Sequence, residues 1–288
     1  MASPALTPQI FDRARIARHL ARRSDDGADF VTELVRDDLA TRLATISRPF
    51  GKALVMGPDA RVLPVRGQSA DGEFDFERVS TLLPTPGVPL VDPEALELPA
   101  DDYELIVSLL DLQVVNDVPG FLARIRAHLR PDGLFMAAFL GGDSLTELRQ
   151  AFLVADAEVT GGAYARVAPF IPLKDAGGLL QRTGYALPVT DVETHRVRYG
   201  DALRLMRELK ALGAQNPLQE RPDRLGTRGL VAAAANAYHE RFADPDGRVG
   251  ATLEIVWISG WAPHESQQKP LRPGSGKVRL GDVLGKPS

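Results

Sequence analysis

Apolar residues recur along this chain in two alternating rhythms. Phe30, Val31, Leu34, Val35, Leu39, Leu43 and Ile46 fall at helical spacing and predict a helix over Ala28–Ile46, with Asp29 as its cap. Lys52–Met56 is a short apolar run that fits a buried strand. Tyr103–Leu110, YELIVSLL, is apolar on both faces, as parallel strands are. Val118–Arg130 then reads as a helix with Phe121, Leu122, Ile125 and Leu129 inward, Pro131–Gly133 as a turn, and Leu134–Leu140 as another buried strand. Asp143–Asp156 opens with an acidic cap and continues as a helix. Between these, 57–90 is rich in Gly and Pro; its weaker pattern suggests a strand near Arg61–Val65 and a short helix near Phe76–Leu83. Further on come a helix near Lys174–Thr183, a strand near Asp191–Tyr199, and helices near Asp201–Gly213 and Asp223–Phe242. Ala251–Ser259, rich in β-branched and aromatic residues, suits a closing antiparallel strand.

Strand–helix–strand at these lengths means an α/β fold on a mostly parallel sheet, with extra helices before the last strand. The expected division is an N-terminal helical segment at 1–48, an α/β domain at 49–265 with a helical insertion at about 200–245, and an extended tail at 266–288. The 288 residues are 44% apolar and 25% charged, as in a water-soluble globular chain. A net charge of −4 without a basic half gives no electrostatic footprint for nucleic acid. The chain has no cysteine, which excludes disulfides and thiolate metal sites. No apolar run is long enough to span a bilayer and no secretory signal is visible, so the expected home is cytoplasmic. Arg13–Ser24 is arginine-rich, as organelle transit peptides are, but Asp12 and the acidic SDDGAD flank it, which favours a surface helix of the mature protein.

Several stretches together carry a resemblance. PLVDPEALELPADDYELIVSLLDLQVVNDVPGFLARIRAHLRPDGLFMAAFLGGDSLTELR resembles the second half of a class I S-adenosylmethionine-dependent methyltransferase, with LRPDGLF as that family's turn into the fifth strand. IFDRARIARH, FLGGDSLTELR, LMRELKALGAQNP and WAPHESQQKPLRPGSGKV resemble the methyltransferase-like assembly factors of respiratory complex I and their bacterial relatives. The likeness covers the chain from about Phe11 to Leu284; the GGD and HESQ stretches are its specific parts. It implies a Rossmann-like methyltransferase sheet, S-adenosylmethionine as cofactor, and a complex I subunit or other protein as partner. The mitochondrial member is associated with arginine hydroxylation, and a more distant relative is a malonyl carrier-protein methyltransferase.

In that family the loop after the first strand runs acid–x–Gly–x–Gly–x–Gly. The matching residues are Val55, Met56, Gly57, Pro58, Asp59, Ala60 and Arg61, so only Gly57 is kept. Asp59 adds negative charge where the cofactor carries its own carboxylate; two such charges at ~4 Å repel by about 1 kcal/mol in water and more when buried. Arg61 could offset it. For the acid that holds the ribose, the resemblance leaves Asp75, with Glu73 and Glu77 as alternatives. Asp92 matches the acid near the adenine, or is simply a turn residue before Pro93. Leu110 ends the fourth strand beside the cofactor, and Gln113 and Val114 stand where the assembly factors commonly have His and Trp.

On the substrate side the resemblance points to Gly142 and Asp143, after Gly141, and to His264 with Glu265 and Ser266. The plain alternatives are a strand exit with a helix cap, and a hydrogen-bonded tie for the tail. Five histidines, His19, His128, His195, His239 and His264, form no compact metal-ligand pattern. Leu203, Met206, Leu209 and Leu212 share one helix face, which reads as core, lid or partner groove. Two functions stay open: methyl transfer to a protein or small acid, for which positioning suffices without a dedicated base, and a non-catalytic assembly factor with a degenerate cofactor site.

Overall fold

The computed structural model describes residues 8–23, 29–221 and 226–268. A seven-stranded sheet runs in the order β2-β3-β1-β4-β5-β7-β6. Its strands are β1 (Ala53–Asp59), β2 (Arg66–Ser69), β3 (Gly72–Leu83), β4 (Tyr103–Leu109), β5 (Leu129–Leu140), β6 (Ala186–Tyr199) and β7 (Val249–Trp261). The helices are α1 (Arg13–Leu20), α2 (Phe30–Ala44), α3 (Val118–His128), α4 (Thr146–Thr160), α5 (Leu173–Arg182), α6 (Ala202–Ala211) and α7 (Arg228–Phe242). β3, β1, β4 and β5 are parallel, β7 joins β5 antiparallel, and β6 and β2 close the two sides antiparallel.

The sheet is covered on both faces because its central strands carry apolar side chains on both. Leu54, Met56, Ile106 and Phe135 face α3 and α5, packing on Phe121, Ile125 and Leu180. Val55, Leu105, Met136 and Trp257 face the other way, onto Val35, Leu39 and Leu43 of α2. Asp29 caps α2 as expected, accepting from the Thr32 amide at 3.2 Å. α4, α6 and α7 form a separate apolar cluster around Leu148, Leu205 and Tyr238, whose hydroxyl donates to the Gly250 carbonyl at 2.8 Å.

Four local expectations are corrected. Phe76–Leu83 is strand, not helix: Phe74 and Phe76 alternate with exposed neighbours, and the segment then runs buried alongside β1. Arg61–Val65 is not a strand; Ala60–Val62 is one 3₁₀ turn, and the strand begins at Arg66. Pro131–Gly133 does not separate two elements. It is a bulge inside β5, where the register with β4 jumps from Tyr103↔Leu129 to Leu105↔Leu134 and Asp132 takes a φ of +63°. Asp143 does not cap a helix by its side chain: α4 starts at Thr146 behind Leu145. The expected tail beyond 268 and the start of the Asp223–Phe242 helix lie outside the described residues.

β6 is the outer strand. Arg196 and Arg198 bridge to Asp244, and Arg198 also to Asp246, while Asp191 pairs with Arg42 of α2. Behind α4, Asp156 is fully buried and takes two short bonds, 2.7 and 2.6 Å, from Arg166. This pair pins the segment that returns from α4 towards α5. Removing one partner of a buried pair strands the other charge. Arg166→Met is therefore expected to cost about 3–5 kcal/mol in urea unfolding, and Arg166→Met combined with Asp156→Leu clearly less.

Candidate functional site

In a doubly wound sheet ligands gather at the carboxyl ends of the parallel strands. Here those ends are Gly57–Asp59 of β1, Ser80–Leu83 of β3, Leu109 of β4 and Leu140 of β5. At β1, a Cβ on Gly57 would sit 2.8 Å from the Leu109 carbonyl oxygen. The glycine is thus required by the close approach of β4. Asp59 is buried, accepts from the Arg61 amide at 3.0 Å, and is gripped by the Arg61 guanidinium through Nε at 3.0 Å and Nη2 at 2.9 Å. Burial pushes its carboxyl up, but the Arg61 bonds and charge outweigh that and hold it below the ordinary carboxylate value. No helix follows β1: the chain goes through the 3₁₀ turn into β2 and folds back as β3.

The neighbouring strand ends are closed by α1. Arg13 donates to the Val114 carbonyl at 3.0 Å and to the Thr81 carbonyl at 3.2 Å, and lies 3.5 Å from Asp111 Oδ1. Phe11 and Ile16 pack on Leu82 of β3. Asp111 is fully buried and its Oδ2 has no hydrogen-bond partner. Burial raises its pKa, with the charge and bond of Arg13 acting the other way. Sequence reading missed both residues, although each lies in a quoted stretch, IFDRARIARH and SLLDLQVVND.

The GGD turn is built around a third missed residue, Glu254 of β7, a lone acid within an apolar strand. The Asp143 amide faces its Oε1 at 3.5 Å. The Ser144 hydroxyl donates to the Glu254 carbonyl at 3.1 Å. A Cβ on Gly141 would fall 2.1 Å from Oε1. Burial and the nearby Asp143 charge raise the Glu254 pKa against the pull of the Asp143 and Gly142 amides. Gly142 runs close to Pro172, and the Asp143 side chain is exposed.

A cavity of about 630 Å³ lies above these strand ends. Leu63, Leu110 and Leu140 line it from the sheet side; Phe152 of α4 and Met206 and Leu209 of α6 line it from the helices. Asp59 is on its wall, and Leu110, at a φ of +54°, hydrogen-bonds the Ala138 carbonyl. The α6 face expected from sequence is realised here by Met206, Leu209 and Leu212, joined by Leu205.

Asp75, its alternatives Glu73 and Glu77, and His264 lie elsewhere. Asp75 sits at the amino end of the parallel strands, beside Phe76, the partner of Ala53, and faces Arg66 from an exposed edge. Glu73 is further still from the carboxyl end, and Glu77 accepts from the Tyr103 hydroxyl at 2.7 Å. His264 follows Trp261, which pairs with Leu134 where β5 first meets β7, so it too is at the opposite end. Its Nδ1 is 2.7 Å from the Ser266 hydroxyl, and Gln267 bonds Asp132 and the Ala262 carbonyl: the stretch ties down the chain after β7. Asp92 is at the carboxyl side, but it is exposed and accepts from the Glu94 amide in a turn. Among the described residues no three His, Asp or Glu side chains gather as a metal site.

S-adenosylmethionine needs a carboxylate for its ribose and backbone amides, as at a helix start, for its charged end. β3 ends Ser80-Thr81-Leu82-Leu83 without an acid, β1 leads into no helix, and α1 packs on Leu82. The residues present do not fit that cofactor.

Gly141→Ala is expected to lower stability by about 1–3 kcal/mol in urea, because Glu254 must be displaced. Asp59 contributes stability in full above the ordinary carboxylate pKa of about 4, and loses it as pH falls through its lowered value. Arg61→Ala should therefore cost about 1 kcal/mol at neutral pH, and its stability curve should meet the parent's only at acid pH, once Asp59 is protonated in both.

No family model matches the chain. The arginine-hydroxylase NDUFAF5 of Homo sapiens is 34% identical over 96% of this chain and 84% of its own length. The Rattus norvegicus protein of the same name is 33% identical over 95% and 83%. A malonyl-[acyl-carrier protein] O-methyltransferase of Laribacter hongkongensis is also 33% identical, over 91% and 93%. Among solved structures, the Bacillus YcgJ protein superimposes with a TM-score of 0.46 at 9% identity, over 82% of this chain and all of that one. A Haemonchus contortus phosphoethanolamine N-methyltransferase 2, in complex with S-adenosyl-L-methionine, gives 0.41 at 10%, over 80% and 53%. Identity of 33–34% over 91–96% of the chain and 83–93% of these three relatives places it in one family: it belongs to the S-adenosylmethionine methyltransferase-like proteins that include NDUFAF5 and the malonyl-[acyl-carrier protein] O-methyltransferases.

Proposed function

We propose that this protein acts in respiratory complex I assembly as a methyltransferase-fold binding factor, without using S-adenosylmethionine itself. The observation that carries the reading is the carboxyl edge of the sheet. The helix after β1 is replaced by a 3₁₀ turn and a short strand, and Arg13 takes the carbonyls of Thr81 near the end of β3 and of Val114 in the turn after β4. The rest of the fold is kept in good order, including the GGD turn on Glu254, α6 and the cavity. Likeness to NDUFAF5 over the whole chain supplies the biological setting and suggests a complex I subunit as partner. No helix among the described residues is long and apolar enough to cross a membrane, and this reading places the protein in the cytoplasm.

Calorimetric titration of the full chain is expected to show no binding of S-adenosylmethionine or S-adenosylhomocysteine up to about 1 mM. A Kd in the micromolar range would reverse the reading in favour of methyl transfer. In the source organism, deletion should lower assembled complex I on native gels, and Asp59→Ala with Arg61→Ala should restore it. Restoration only by the unaltered loop would sink the non-catalytic assignment.

A further inference from the structure

The cavity has a chemistry that none of its neighbours in the chain uses. Its walls are mostly apolar, with branched aliphatic side chains from α1, α2, α4, α6, α7 and the strand ends prominent among them, and its volume of about 630 Å³ suits one small-molecule ligand. The acids on its wall are already engaged. Asp59 holds Arg61, Asp29 holds Arg23 at 3.1 Å while capping α2, and Glu208 accepts from the Tyr199 hydroxyl at 3.0 Å. Of its cations, Arg23 is held by Asp29 and Arg166 by Asp156. Lys210, at the end of α6, lines the cavity, is exposed, and has no side-chain partner among the described residues. Among the described residues no carboxylate on the wall is left to receive a guanidinium or an amine, and the rings on it, Phe30, Phe152, Phe170 and Tyr199, stand among a larger number of aliphatic side chains. The spare charge is positive and sits beside apolar space.

We infer that this cavity binds a single long aliphatic chain ending in a carboxyl-derived head, with the chain against Leu110, Leu140, Phe152 and Met206 and the head near Lys210. The inference deepens the binding role proposed above and rests on it. Two sources share this chemistry, a free fatty acid and an acyl thioester. They differ in head charge, and Lys210 discriminates only the charged one.

The test titrates the full-length protein with dansylaminoundecanoic acid and displaces it with palmitate, with palmitoyl-pantetheine and with S-adenosylmethionine. Saturable binding displaced by palmitate is expected, with S-adenosylmethionine without effect. Met206→Trp and Val231→Trp, both half-buried on the cavity wall, should weaken palmitate about tenfold while melting close to the parent. Lys210→Glu should weaken palmitate about fivefold and leave the uncharged thioester unchanged. Displacement by palmitate alone assigns a free acid, and displacement by both a thioester-borne chain. Absence of saturable binding, or filled variants that fold and bind like the parent, overturns the inference. Failure of the function proposed above reads differently, as direct binding of S-adenosylmethionine in the calorimeter.

Discussion

One guanidinium organises the end of this sheet where a ligand would be expected. Arg13 reaches from α1 to the carbonyls of Thr81 and Val114 and to the buried Asp111, so a single side chain ties the end of β3 to the turn that follows β4. Each of those groups would otherwise need water or a ligand. With Arg13 in place, α1 settles onto Leu82, and the chain between β1 and β3 needs no helix to shield the strand ends. The arrangement leaves Asp111 Oδ2 without a hydrogen-bond partner among the described residues. That residual cost falls on a carboxyl whose charged form is already disfavoured by burial.

A second buried acid shows the same economy on the other side of the cavity. Glu254 sits in an otherwise apolar strand, and the GGD turn bends around it, leaving no room for a Cβ at Gly141. A sequence match at such a turn is easily credited to substrate chemistry, yet packing alone demands the glycine. In this chain the turn is held by these internal fits.

The fold was legible where burial imposes a period. β1, β4, β5, β7 and six of the helices lie close to where apolar spacing puts them. It was illegible where a strand is buried for only part of its length: β3 begins at an exposed edge and ends in the core, so neither rhythm is sustained. The site was legible in its negative features. Asp59 and Arg61 announced a loop reduced to the single Gly57, and their ion pair is formed. Asp75 and His264 misled because sequence distance from a strand does not say at which end of the sheet a residue emerges. Arg13 and Asp111 lie almost a hundred positions apart, and nothing local in either segment reports that they meet.

The outer strand β6 shows how a sheet is brought to a stop. A long free edge offers unpaired amides and carbonyls to any other extended chain. Pro188 withholds one donor near its start, the register with β7 slips between Ala186 and Val189, and Leu187 turns to a φ of +49°. Farther along, Arg196 and Arg198 are anchored to the turn after α7, and Asp191 to α2. A strand from another molecule would meet first a kink and then a hedge of fixed charges. The exposed Leu187 and Val189 can stay on the surface of this protein without seeding aggregation.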